Sequence, residues 1–111
     1  MSVNKSRTAY LDCFEIFDRA LASRNGIKVL VSDRGKAFYL RTRLNYARLM
    51  DREANKEIYS EEDPNYGCSS YDPLIIRTPT PHLDQWHLLI EKPTIEGLVI
   101  EEIEDATAAS G

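Results

Sequence analysis

Apolar residues first recur along the chain at helical spacing. Tyr10, Phe14, Phe17 and Leu21 stand at i, i+4, i+7 and i+11, one buried stripe of an amphipathic helix. Asp12, Glu15, Asp18 and Arg19 fall on its outside. Ser6 or Thr8 supplies an N-terminal cap, and Asn25-Gly26 stops the helix after about Arg24, because both residue types tolerate the left-handed conformation past a last turn. The period then changes to two. Ile27, Val29 and Val31 alternate with Lys28 and Leu30, which predicts a short β-branched strand, central in its sheet. Ser32-Asp33 caps a second, long helix that runs from Asp33 to about Lys56. In it Ala37, Leu40, Leu44 and Ala47 share one apolar arc, with Asp51 close beside it.

Tyr59 to Pro73 is rich in turn formers (Pro64, Asn65, Gly67, Ser69, Ser70, Asp72) and reads as a loop. Its three tyrosines, Tyr59, Tyr66 and Tyr71, predict a loop folded against the body. Leu74–Thr78 reads as a strand, Pro79 to Gln85 as a turn or long hairpin loop, and Trp86–Glu91 as the returning strand. Trp86, Leu88 and Ile90 share one face of it, and His87, Leu89 and Glu91 the other. Lys92-Pro93-Thr94 breaks that strand, and Leu98–Ile103 reads as a fourth. The order is α-β-α-β-β-β. A right-handed crossover through the second helix leaves strands 27–31 and 74–78 parallel, and the remainder adds as an antiparallel meander. The expectation is therefore an α+β fold in which two helices pack on one face of a mixed four-stranded sheet. Phe14, Phe17, Leu21, Val29, Val31, Leu40, Leu44, Ile75, Leu88 and Ile90 are the predicted core. Residues 1–111 suit a single domain, with 1–7 and 104–111 as frayed termini.

Composition is that of an ordinary globular protein, 42% hydrophobic and 29% charged. The net charge of −4 argues against coating nucleic acid through bulk charge. Its distribution is uneven. Arg34 to Arg52 holds six bases and one acid, Asp51, whereas Glu91 to Gly111 holds six acids and one base, Lys92. Cys13 reads as a small core hydrophobe, and Cys68 lies in a Gly/Ser loop. Two lone cysteines and no apolar leader in Met1–Arg7 point to a reducing compartment, hence a cytoplasmic protein. The apolar runs fall far short of a membrane span, so no membrane partner is expected.

The most pointed chemical feature is the basic stripe of the second helix. At about 100° per residue, Arg34, Arg41, Asn45, Arg48, Arg52 and Lys56 lie in one arc without a carboxylate. Lys36 flanks the same N-terminus, where backbone N–H groups also favour anions. The sequence lacks the second glycine and Lys-Ser/Thr pair of a phosphate-binding loop. Arg41 to Arg52 covers about 16 Å, enough to span successive phosphates. Tyr39 and Tyr46 align on another flank and suit stacking on bases. The competing reading is a solvated face whose arginines pair with acids of the 61–63 loop or the tail. His82, Asp84 and His87 lie within six residues, but on a proline-bounded loop and a strand, so no metal site or other cofactor is expected and His87 reads as a cross-strand partner. No nucleophile elbow or Cys–His arrangement stands out. Glu101 and Glu102 point to opposite faces of a strand, which disqualifies them as an acid/base pair. No catalytic residues are assigned, and the chain is expected not to be an enzyme.

The segments Asn25-Gly26-Ile27-Lys28-Val29, Arg34-Gly35-Lys36-Ala37, Tyr71-Asp72-Pro73-Leu74 and Ile90-Glu91-Lys92 give residues 10–103 a layout that resembles small accessory proteins of tailed bacteriophages. The resemblance implies a protein of the infected host's cytoplasm and carries no catalytic residue with it. Two functions follow as expectations. One is a binding module that contacts nucleic acid through Arg34, Lys36, Arg41, Asn45, Arg48 and Arg52. The other is an effector or inhibitor that binds a host or phage enzyme through Tyr59, Tyr66, Tyr71, Glu101 and Glu102. The half-apolar strand 98–103, expected at a sheet edge, also suits pairing with a second copy into a homodimer.

Overall fold

A computed structural model describes residues 8–93 of the chain. It is an α+β fold with the expected element order: α1 (Leu11–Ala22), β1 (Gly26–Val31), α2 (Arg34–Ile58), β2 (Ile75–Ile76), β3 (Thr80–His82) and β4 (Gln85–Glu91). The predicted strand 98–103, with Glu101 and Glu102, lies outside the described residues.

The helix ends are set by local hydrogen bonding. α1 begins after Tyr10, whose carbonyl accepts the N–H groups of Cys13 and Phe14 at 2.9 and 3.1 Å. No side-chain cap hydrogen bond is made by Tyr10; Ser6, one of the two expected caps, lies outside the described residues. At its other end the Ser23 hydroxyl donates to the Ala20 carbonyl and accepts from the Gly26 N–H at 2.8 Å. Gly26 then takes φ +113°, which turns the chain into β1. The Asp33 carboxylate caps α2 as predicted, accepting from the Lys36 N–H at 2.8 Å.

The sheet departs from the expectation in two ways. Its order is β1-β4-β2, with β3 also on β4, so among the described residues β4 is central and β1 stands at an edge. Every described pairing is antiparallel, where a mixed sheet was expected. β1 and β2 do run in the same direction, joined by α2, but β4 is inserted between them. The hydrophobic pattern accounts for this choice. Leu88 and Ile90 are fully buried, and the centre of the sheet is where both neighbours and the helices cover a strand. The half-buried Ile27, Val29 and Val31 suit a strand covered from one side only.

Register decides which residues face the helices. Ile27, Val29 and Val31 stand opposite Ile90, Leu88 and Trp86, and Ile76 stands opposite Ile90. These form the covered face. Ile75 stands opposite Glu91 on the open face and is 38% exposed, so the core position belongs to Ile76 and not to Ile75. Cys13, Phe14, Phe17, Ala20, Leu44, Ala47, Met50, Tyr71, Leu74, Leu88 and Ile90 complete the buried cluster, with Leu21, Val29 and Leu40 packed at its margin. The stretch 79–85, expected as a turn or long hairpin loop, holds both a short strand and the reversal. β3 occupies Thr80–His82, and the chain reverses at Leu83-Asp84, where Leu83 has φ +54° and is 92% exposed.

Candidate functional site

The predicted basic stripe divides into two halves with different fates. Arg48 is half-buried, and one of its nitrogens donates to the carbonyls of Tyr71 and Leu74 at 3.0 and 2.6 Å. Burial and the neighbouring Arg52 hold its guanidinium below the usual arginine range. Arg52 donates through Nε to Asp72 at 2.7 Å. These two arginines fasten the 59–73 loop to α2. Lys56 reaches Glu53 at 3.3 Å. Where a solvated face predicts acids 61–63 or the tail as partners, the partners among the described residues are Asp72, Glu53 and two backbone carbonyls, and the tail lies outside those residues.

The N-terminal half is different. Arg34 lies over the Phe38 ring at 4.6 Å from its centroid, and Phe38 meets Trp86 edge-on at 6.3 Å. Lys36 is only 4.0 Å from Asp33, and both side chains are exposed. Asn45 donates back to the Arg41 carbonyl at 3.1 Å. Arg41 is half-buried, and its Nε is a buried donor without an acceptor. A buried unpaired donor costs about 1–3 kcal/mol. It is therefore a departure from the near-complete satisfaction normal in folded proteins.

The tyrosines also separate. Tyr71, predicted at a protein-binding surface, is a core residue. It stacks on Phe17 at 4.8 Å, tilts against Phe14 at 6.0 Å, and donates its hydroxyl to Asp18 at 2.7 Å. Tyr59 and Tyr66 are half-buried. The exposed aromatics are on α2 itself: Tyr39 and Tyr46 are 66% and 48% exposed. Tyr46 leans on Tyr10 at 5.6 Å, and Arg43 lies over Tyr10 at 4.8 Å while binding Asp12 at 2.6 Å.

The loop closes over the far half of α2 through successive turns, with the N–H groups of Asp63, Tyr66, Cys68, Asp72 and Leu74 each bonded three residues back. Under it the nearly buried Asp51 carboxylate accepts from the Ser69 hydroxyl at 2.6 Å, and Asn55 donates to the Cys68 carbonyl. A cavity of about 290 Å³ opens there, lined by Asp51, Asn55, Tyr59, Asn65, Cys68, Ser69 and Ser70. It is small and polar, below or at the lower limit of ordinary ligand sites. Cys13 is inert by environment, since burial pushes its thiol up to about 11.

Asp72 provides a pH handle on this loop. Burial raises its carboxyl pKa, but the Ser69 N–H, the Arg52 contact and nearby Arg48 outweigh burial and hold it below the usual range. A depressed folded-state pKa adds stability above the unfolded carboxylate value of about 3.9, and that increment is lost as pH falls through the folded value. The side chain is one-third exposed, so the increment is below about 1 kcal/mol. Asp72→Asn is expected to lower stability above pH 6 by that increment, below about 1 kcal/mol, and to flatten the acid limb of a stability-versus-pH curve, where the increment is already lost. An unchanged acid limb would refute the role given to this carboxylate.

His82 and His87, the residues considered for a metal, meet across β3 and β4 with ring centroids 4.2 Å apart and planes tilted by 33°. Desolvation and the neighbouring His82 and Lys28 hold His87 below the ordinary imidazole range. Among the described residues no group of three His, Cys, Asp or Glu side chains is placed to hold a metal ion. Among them, too, no helix is long and apolar enough to cross a membrane. No family model, curated protein or solved structure matches the chain.

Proposed function

We propose that this domain is a non-enzymatic binding module that docks a nucleic acid strand along the N-terminal half of α2. The observation that carries the reading is the state of Arg41, a half-buried guanidinium whose Nε lacks an acceptor among the described residues, on the same helix face as Arg34. That Nε is itself buried, so a phosphate oxygen meets this guanidinium at its terminal nitrogens, as a charge-assisted hydrogen bond. Phe38 and Trp86, held edge to face beside Arg34, offer ring surface next to those cations. Arg34 to Asn45 spans about 16 Å, the length of a few nucleotides. Arg48 and Arg52 are left out of this interface because each is already tied to the 59–73 loop, Arg48 through two backbone carbonyls and Arg52 through Asp72. The negative net charge does not oppose it, since five of the 18 acids, Glu96, Glu101, Glu102, Glu104 and Asp105, lie beyond Pro93.

The test is salt-dependent binding to mixed single- and double-stranded oligonucleotides. Arg34→Gln with Arg41→Gln is expected to weaken binding and to reduce the salt slope by about 1–2. Arg19→Gln, on exposed α1, is the matched control. Equal affinity and slope in the double variant and the control remove this reading.

A protein partner is the second reading, favoured by the exposure of Tyr39, Tyr46, Leu49 and Leu11. Tyrosine beside arginine is the composition of binding hot spots. Both readings suit a cytoplasmic accessory protein of the phage type that the sequence resembles. Loss of a nuclease-resistant partner on Tyr39→Ala and Tyr46→Ala, with oligonucleotide binding absent, would decide for it.

A further inference from the structure

The two edges of the sheet are built differently. On one side of β4, β2 and β3 are short and separated, and Pro79 and Pro81 deprive that edge of donors. Prolines there discourage any further strand. On the other side β1 is six unbroken residues, Gly26–Val31, with no proline.

The backbone alternation along β1 can be followed from one bond. The Lys92 N–H donates to the Asn25 carbonyl at 3.0 Å, so Asn25 faces β4, and in an antiparallel ladder alternate residues do the same. Ile27, Val29 and Val31 therefore bond to β4. Lys28 and Leu30 direct their N–H and C=O groups outward. Among the described residues no strand meets them. Leu30 is also 54% exposed, and Ile27, Val29 and Val31 are only half-buried although Leu88 and Ile90 opposite them are sealed.

The chain leaves the described body next to this edge. Besides its backbone bond to Asn25, Lys92 reaches the end of α1 through Nζ, donating to the Leu21 and Ser23 carbonyls at 2.6 and 3.2 Å. Pro93 thus lies at the start of β1. An open groove of about 250 Å³ runs across that end, between Asn25–Lys28 on one side and Leu89–Glu91 on the other. Reaching the outer edge of β1 from β4 requires two strand spacings, about 10 Å. The five steps from Pro93 to Leu98 extend to about 17 Å.

The sequence that follows is suited to the position. Leu98–Ile103 is β-branched and apolar apart from Glu101 and Glu102, which alternate between faces, so either register sets one carboxylate on the side of Lys28. β1 itself carries Lys28 as its one charge and no acid. We propose that Leu98–Ile103 of this chain docks along the outer edge of β1 as an added strand. Because the chain crosses where β1 begins, the two run in the same direction. A covalently tethered strand also outcompetes a second copy at ordinary concentrations, through its effective concentration.

The experiment is amide hydrogen exchange, residue by residue, on the full chain at two concentrations. The Lys28 and Leu30 amides are expected to exchange about 100-fold more slowly than exposed-chain rates, at both concentrations. A variant with Val99→Pro and Ile100→Pro, which blocks either register, should return both amides to exposed-chain rates. The Val29 amide, bonded to β4, should remain slow and so report that the fold is intact. Exposed-chain rates at Lys28 and Leu30 in the unaltered protein would overturn the proposal. So would protection that survives the double proline variant and grows with concentration alongside a dimer mass, which would assign the edge to a second copy.

Discussion

Phe17→Ala is expected to destabilise the protein by about 3–5 kcal/mol, seen as a large drop in denaturation midpoint with the protein still cooperative or, at the upper end, unfolded at 37 °C. Phe17 has no exposed surface. Its ring is the floor on which Tyr71 stacks at 4.8 Å, and Tyr71 ties the 59–73 loop to both helices. Truncation therefore removes a ring from the core and the support from a second aromatic. The site has little scope to collapse, since its neighbours Cys13, Ala20, Leu44 and Leu88 are themselves fully buried. Phe14→Ala should cost less, because Phe14 is at the margin of the same cluster and its contact with Tyr71 is longer, 6.0 Å and tilted. A loss below about 1 kcal/mol for Phe17→Ala would mean that the stripe on α1 does not face the core.

That stripe was legible because helix burial repeats at a period the sequence displays. Phe14, Phe17, Leu44, Leu88 and Ile90 were all foreseen and are all buried. Pairing order was not legible. Local pattern says that 27–31 and 86–91 are strands, but nothing local says that β4 inserts between β1 and β2. That choice depends on which strand buries the more complete apolar face. Ile75 and Ile76 show the same limit at single-residue scale: both are isoleucine, and only register against Ile90 and Glu91 assigns one inward.

The basic stripe was visible as an arc without acids, yet its partners were not. Arg48 and Arg52 are occupied by Tyr71, Leu74 and Asp72, which lie about 20 or more residues along the chain in a loop whose path no periodicity encodes. Tyr71 was assigned to the surface for the same reason. The three tyrosines predict a loop folded against the body, but nothing in the pattern says which of them enters the core until the Tyr71 ring is found on Phe17. Arg41, by contrast, keeps a buried Nε without an acceptor among the described residues. The sequence signal that separates these two halves is slight: acids and turn residues cluster after Ile58, and the segment that folds back must cover the end of the helix from which it leaves.

Gly26→Ala is expected to cost about 3 kcal/mol or more and to disturb the β1–β4 ladder before any other part of the fold. An added methyl at Gly26 would stand 2.3 Å from the Ile90 carbonyl oxygen, 2.7 Å from the Glu91 Cα and 2.9 Å from the Lys92 nitrogen. All three are backbone atoms, and β4 cannot retreat because it is bonded to β1 on one side and to β2 and β3 on the other. The φ of +113° adds strain for any L side chain. Gly67 separates the two causes. It also has positive φ, +68°, but the nearest atoms to its added methyl belong to the flexible Lys56 side chain, at 3.4 and 3.7 Å. Gly67→Ala should therefore cost only the conformational penalty, about 1 kcal/mol. Chemical denaturation of the two variants measures the difference directly. If they lose equal stability, the close approach of β4 to Gly26 contributes nothing, and the left-handed backbone alone explains why glycine occupies the start of β1.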